Sequence, residues 1–373
     1  MKRKILILTA SYGTGHITAA KSIYSEIKLK HSDWDVEVFD FLHLKGEPQQ
    51  GKLTFFQKLY NFSMEKPVIF DTFFFCTNNN FCKNLLKTII IANSYNSAKE
   101  YFNEFNPDIF VSTHPYWNFI VQKYKKEVRN VPYVCVITDS YMIHKSWIDK
   151  NVDFYCVIDE DTKHVLINSG INKIWVTGFP VNSKLFQQVD KHKILSELGL
   201  REGVLTILIT IGLGALDKFL KIVDFLRKKK ELFQLIIITG KYKELYDKLN
   251  MMEYIPRTKI IGWTDRMHDY LRVSDLVICK GGGAIVSESL SAGVPVLIPV
   301  FVPGQERGNV YVVKKYKLGF HYEDEETVFK LLDDIITAKI KLEIYKNNIK
   351  KYIQNNPAGK ILKLVEDIVS GEI

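Results

Sequence analysis

Residues 275–309 leave little choice of architecture. Residues 275–279 (DLVIC) form a short apolar, β-leaning run, which predicts a buried parallel strand. Lys280 and the glycines Gly281, Gly282 and Gly283 follow as a turn. Residues 284–292 then carry helical spacing, and Gly293-Val-Pro295 stops that helix. A second buried strand over 296–300 leads into the loop Pro303-Gly304-Gln305-Glu306. Strand, helix and strand in that order belong to a parallel sheet. Glycines ahead of a helix let backbone N–H groups approach an anion at the helix N-terminus, where the dipole favours negative charge. Glu288, in the second turn of that helix, is within reach of a sugar hydroxyl pair above the phosphates. Carboxylate for ribose and backbone for phosphate is the usual division in nucleotide sites. Taken alone, the same turn also suits any α/β domain.

The combination is more specific. GGG, then SES, then AGVPVLIP, then PGQERGN resembles the donor-site signature of the family 28 glycosyltransferases. That family includes the diacylglycerol glycosyltransferases and the enzyme adding N-acetylglucosamine to the peptidoglycan lipid precursor. The resemblance implies α/β architecture with two Rossmann-like domains facing across a cleft (GT-B). It also implies a UDP-sugar bound by the second domain and an acceptor bound by the first.

The remaining chain fits that outline. Its 373 residues exceed one ordinary core, 46% of them are hydrophobic, and strand and helix patterns alternate through most of the length. The expected division is 1–182 for an acceptor and membrane-facing domain, 183–203 for a linker with a short helix (LSELG), and 204–358 for the donor domain. A final helix from 359 is expected to cross back to the first domain, as in two-domain transferases of this type.

In the first half, strands are expected at 4–9, 36–39, 108–112 and 134–138, with a helix at 17–30. His16, His114 and Asp139 then all follow strands of one sheet at the same edge, with Gly15 beside His16 and His144 beyond Asp139. Ionisable groups converging at carboxyl ends of strands form an active-site pattern, although any one of them could equally cap or brace the fold. Ser11-Tyr-Gly-Thr-Gly-His16 resembles the family's Gly-rich, His-ending loop with only two glycines; the resemblance makes His16 the candidate base, with Asp139 as rival. The run from Thr138 to Trp147 and onward to Pro180 is more similar to the diacylglycerol branch than to the peptidoglycan branch.

In the second half, strands are expected at 205–210, 235–239 and 260–263. By resemblance, the turn after the first of these approaches the donor phosphates, and Gly212 and Gly214 keep part of its glycine pattern. Gly262 and Trp263 end a strand where backbone and ring can hold a flat base, and the resemblance implies uracil; a buried Trp closing the sheet is the alternative. By resemblance, Gln305 and Glu306 bind sugar hydroxyls and Asn309 supports their loop or a phosphate.

Residues 46–106 lack clean alternation and interleave aromatics with lysines, among them Lys52, Phe55, Phe56, Lys58, Phe73, Phe74, Phe75, Phe81, Lys83 and Lys87. Such a stretch suits an anionic membrane surface or is a helical insertion whose aromatics fill the first domain's core. The net charge of +9 points to an anionic partner; no recognised nucleic-acid module is visible, and nucleic acid is not expected. Five scattered cysteines (Cys76, Cys82, Cys135, Cys156, Cys279) show no CxxC pairing and suggest neither disulfides nor zinc. The DxD-like triplets at Asp33 and Asp159 fall in a connection and at a helix start, so no metal or other cofactor is expected. Residues 5–10 read as a strand and not a signal peptide, and no run approaches the ~20 apolar residues of a membrane span. These features fit a peripheral enzyme at the cytoplasmic face of the cell membrane. The expected activity is inverting transfer of a hexose, glucose favoured over galactose, from a UDP-sugar to diacylglycerol. N-acetylglucosamine transfer to a peptidoglycan lipid precursor, a UDP-N-acetylglucosamine 2-epimerase and a silent binding relative stay open.

Overall fold

The structure is a computed structural model and describes residues 2–11, 15–40, 74–212 and 216–373. The chain divides into two units. One comprises Met1–Ser183, Val302–Gly308 and Gln354–Ile373; the other comprises Lys184–Phe301 and Asn309–Ile353. Relative to the expected division, residues 302–308 and 354–358 fall in the first unit. The reason at 354–358 is packing: Gln354 and Pro357 sit directly against Gly178.

The first unit runs β1 (Lys4–Thr9), α1 (Gly15–Lys30), β2 (Asp35–Asp40), α2 (Asn80–Phe105), β3 (Ile109–Ser112), α3 (Tyr116–Glu127), β4 (Tyr133–Val136), β5 (Phe154–Val157), α4 (Glu160–Asn168) and β6 (Ile174–Val176). Its six strands lie in the order β2-β1-β3-β4-β5-β6, and every pairing is parallel. A parallel sheet covered on both faces needs strands that are apolar throughout, and KILILT meets that need. Ile5 and Ile7 pack with Ala20, Ile23 and Ile27 of α1. Leu6 and Leu8 join the opposite core with Phe102, Phe110 and Trp117. The α1 face is completed by Ile361, Leu362 and Val365 of the last helix, Pro357–Ser370.

The second unit holds α5 (Lys191–Glu197), β7 (Leu205–Thr210), α6 (Leu216–Arg227), β8 (Phe233–Ile238), α7 (Lys243–Asn250), β9 (Thr258–Ile261), α8 (Met267–Arg272), β10 (Leu276–Ile278), α9 (Gly283–Ser291), β11 (Val296–Ile298) and β12 (Gly319–His321). The strand order is β12-β11-β10-β7-β8-β9, again parallel throughout. Each sheet therefore reverses its winding once, between β1 and β3 in the first and between β7 and β10 in the second. Such reversal points open a crevice beyond the carboxyl ends of the strands, where α/β proteins bind ligands.

The 26-residue α2 is a helix within the stretch for which a helical insertion was one of two readings, though its bounds were not legible. Its apolar residues circle the axis: Ile90, Tyr95, Ala98 and Phe102 are buried, whereas Phe81 is 79% and Leu85 53% exposed. No single stripe marks it in sequence. Lys52, Phe55, Phe56, Lys58 and Phe73 lie outside the described residues.

Candidate active site

His16 stands in the first turn of α1, directly beyond β1, and is buried. Its Nδ1 lies 2.8 Å from the Thr113 carbonyl oxygen and 2.9 Å from the Thr138 hydroxyl. A carbonyl only accepts, so Nδ1 carries the proton and the lone pair is on Nε2. Thr113 is itself locked, its hydroxyl donating to the His16 carbonyl oxygen and accepting from the Thr9 hydroxyl, both at 3.0 Å. Burial holds the imidazole below its ordinary pKa, while the Asp139 charge and the Thr113 hydrogen bond pull it back up. The ring is therefore neutral at neutral pH, as a general base must be.

His114 and Asp139 join it from the ends of β3 and β4. The His114 ring meets His16 edge-on at 4.6 Å between centroids. Burial and the neighbouring imidazole push His114 well below the usual histidine range, so it stays uncharged. The Asp139 carboxyl is raised by burial, against the opposing pull of His16 and of the Trp147 indole N–H, which donates to Oδ2 at 2.7 Å. His144 is engaged elsewhere. It caps the short turn Lys145–Trp147, its ring nitrogens lie near Ser146 Oγ (2.8 Å) and Thr77 Oγ1 (3.3 Å), and burial pushes it down to about 4. Gly15 has open space where a Cβ would stand. Sequence reasoning named His16, His114 and Asp139 but not Thr113, Thr138 or Trp147, which hold them; a threonine preceding a candidate residue carries no signal of its own.

The Val302–Gly308 segment belongs to the same unit. Gln305 lies in its turn, and the buried Glu306 accepts from the Val302 amide. Gly308 packs so closely on Ser140 that a Cβ there would overlap the Ser140 carbonyl.

In the second unit, the turns after β7 and β10 lie side by side at the winding reversal: a Cβ on Gly212 would meet the Lys280 side chain at 3.7 Å. Gly281 N–H donates to Val300 O at 3.0 Å, and Asn309 Nδ2 donates to Gly281 O at 2.9 Å. Gly282 is the N-cap of α9 with φ −67° and ψ 135°, values open to any residue. Its lack of a side chain thus matters for approach to the backbone, not for conformation. The first helical bond returns from Val286 to Gly282, which leaves the amides of Gly283, Ala284 and Ile285 pointing outward as donors. Glu288, half-buried one turn on, has its carboxyl pushed by lost hydration up to about 7. Gly262 and Trp263 follow β9, and the Trp263 ring is 66% exposed, so it does not close the sheet and its face is open to a flat ligand.

Among the described residues, no group of three or more His, Cys, Asp or Glu could hold a metal ion. Asp159 instead caps α4, accepting from the Thr162 amide at 2.7 Å, and Asp33 lies in the turn ahead of β2. The cysteines of the described residues are free thiols. No helix among them is long and apolar enough to cross a membrane.

Comparison with known proteins gives this geometry a context. Residues 16–181 match the family described as monogalactosyldiacylglycerol (MGDG) synthase, and residues 206–361 match the glycosyltransferase family 28 C-terminal domain. A processive diacylglycerol beta-glucosyltransferase of Bacillus pumilus is 29% identical over 98% of this chain and 94% of its own length. The enzyme of the same name from Bacillus subtilis is 26% identical over 98% and 95%. Among solved structures, MnaA of S. aureus with UDP superposes with a TM-score of 0.60 at 13% identity, covering 99% of this chain and 97% of that one. MurG of Acinetobacter baumannii superposes with a TM-score of 0.56 at 13% identity, covering 98% and 99%. These superpositions speak to the fold alone. The sequence matches span both halves with the two histidines and the glycine turns inside them, and the chain belongs to the family 28 glycosyltransferases.

Proposed function

We propose that this chain transfers glucose from UDP-glucose to the hydroxyl of diacylglycerol, with inversion at the anomeric carbon, while docked peripherally on the cytoplasmic face of the membrane. The observation that carries the reading is His16: a buried neutral imidazole at a winding reversal, with Nδ1 committed to Thr113 and Nε2 left to take a proton. In this reading the acceptor O–H proton passes to Nε2 as the oxygen forms its bond to C1. The C1–O bond to the diphosphate breaks, and UDP leaves with the electron pair. Asp139 acts beside the new imidazolium as a fixed negative charge; His114, held neutral, adds none. The first-turn amides of α9 receive the diphosphate charge, Glu288 the ribose hydroxyls, Trp263 and Gly262 the base, and Gln305 and Glu306 the sugar hydroxyls. No step in this scheme calls on a metal ion.

The names of the relatives support glucose and diacylglycerol. The exposed Phe81 and Leu85 of α2, with Lys87 on the same helix, support docking on an anionic lipid surface. The test supplies diacylglycerol in phosphatidylglycerol vesicles with labelled UDP-glucose, UDP-galactose or UDP-N-acetylglucosamine. Label in glycolipid from UDP-glucose is expected. Turnover of UDP-N-acetylglucosamine without lipid would instead identify an epimerase.

A further inference from the structure

One side chain beside the catalytic group is held by more buried hydrogen bonds than packing requires. Trp147 is fully buried. Its carbonyl accepts from Asn118 Nδ2 at 3.0 Å and from the Tyr155 hydroxyl at 2.8 Å. Asn118 Oδ1 in turn accepts from the Tyr133 hydroxyl at 2.6 Å. At the other end the indole N–H donates to Asp139 Oδ2 at 2.7 Å, and the ring lies 6.0 Å from that of His16. The chain of contacts thus runs from two buried strand tyrosines to the carboxylate of the site. Tyrosines, amide and indole are all satisfied within it, the condition under which a buried polar network fixes a single geometry.

We infer that Trp147 is a positioning residue whose indole N–H fixes the Asp139 carboxylate, in its ionised form, beside His16. The inference rests on the functional reading above. A hydrogen bond from a neutral donor favours the charged form of a carboxylate, and here it acts against the burial that raises the Asp139 carboxyl. The other titratable and charged groups on the elements around the pair come from three directions. His114 and Tyr116 pack edge-on from the region between β3 and α3. His144 precedes Trp147 on the short turn. The Val302–Gly308 segment, lying on Ser140, contributes Glu306, bonded to the Val302 amide, and Arg307, whose guanidinium lies over Phe75.

The working state is the pair with no proton on either the Asp139 carboxylate or His16 Nε2, so the acid limb of kcat/KM reports the first proton taken up by the pair. Removing the indole donor makes Asp139 easier to protonate and leaves the pull of its charge on His16 unaltered. The limb must therefore move to higher pH.

The experiment compares wild type, Trp147→Phe, Asp139→Asn and the double variant, in rate–pH profiles on vesicle-borne diacylglycerol, with UDP calorimetry and thermal melting as controls. Placing β-(3-benzothienyl)alanine at position 147 alone removes the N–H while keeping the shape of tryptophan, and covers the case in which Trp147→Phe fails to fold. The expected result is a kcat lower by about tenfold or more and an acid limb higher by about one pH unit or more, at unchanged UDP affinity. Neither effect should appear when Asp139→Asn is already in place. An unshifted limb in the benzothienyl enzyme, or an equal loss with and without the Asp139→Asn change, overturns the inference. If Asp139→Asn itself keeps the full rate and profile, the underlying reading fails as well, and the two failures are told apart by that single variant.

Discussion

Replacing Glu288 by Gln should make the free protein more stable and its nucleotide binding weaker. The half-buried carboxyl has lost hydration, and its pKa stands at about 7 instead of 4.5. A raised folded-state pKa means that the fold prefers the proton: the favourable contribution is complete below the unfolded value and lost as pH rises through about 7. At roughly 1.36 kcal/mol per pH unit, the penalty for carrying the charge at pH 8 has an upper limit of about 3 kcal/mol. Solvent reaches part of the side chain, and screening brings the expected value nearer ~2 kcal/mol. Glutamine keeps the shape without the charge. Differential scanning should therefore find the variant raised by several degrees at pH 8 and by only about a quarter as much at pH 5. UDP should bind the variant about 10- to 100-fold more weakly, because hydrogen bonds from both ribose hydroxyls to a charged acceptor contribute roughly 1.5–3 kcal/mol. Wild-type affinity should also climb about tenfold from pH 6 to pH 8 as the carboxylate ionises. Equal melting differences at pH 5 and pH 8 would refute the electrostatic argument. Unchanged UDP affinity in the variant would remove Glu288 from the site.

Other substitutions test the remaining parts. His16→Ala should lower turnover by about 10²–10⁴-fold with UDP affinity nearly intact; if Asp139→Asn abolishes turnover while the His16 variant retains most of it, their roles exchange. Phe81→Ser, Leu85→Ser and Lys87→Gln together should cut binding to phosphatidylglycerol vesicles at least tenfold, since each exposed apolar group and each lysine contributes on the order of 1 kcal/mol or more at the interface. Equal cosedimentation of variant and wild type would return that helix to water. Gly308→Ala should cost about 1–3 kcal/mol through overlap with the Ser140 carbonyl, and its rate should fall further than its melting temperature suggests, because Asp139 immediately precedes Ser140. A fully active, equally stable Gly308→Ala enzyme would show that the backbone there yields freely.

How far the sequence spoke depended on the physics of each segment. β1 was legible because KILILT is apolar on both faces, and the structure begins and ends it where expected, at Lys4 and Thr9; LTILIT did the same for β7. The His16, His114 and Asp139 cluster was legible because strand ends were, and parallel sheets bring all such ends to one edge. The bounds of helix α2 were not, because its first half leaves Phe81 and Leu85 exposed while its second half buries Ile90 and Phe102, so no single periodicity runs through it. Trp147 was illegible for a different reason. Its importance lies in an N–H aimed at one carboxylate oxygen, and a bond across a loop has no sequence period at all.

The last helix, Pro357–Ser370, sets the order in which this molecule can be finished. Ile361, Leu362 and Val365 close the same core as Ile5 and Ile7, and the Asn356 side chain, which caps the helix, donates to the buried Glu26 of α1 at 2.9 Å. On the ribosome, therefore, the domain begun first is completed last. Until residue 370 or so has emerged, the part of one sheet face that α1 does not cover stands open to solvent, and contacts spanning some 330 positions must wait for nearly the whole chain. Release of a chain cut short of that helix would leave a partly exposed apolar sheet with His16 mounted on it. Quality control would meet such a product as a sticky intermediate and not as a half-active enzyme.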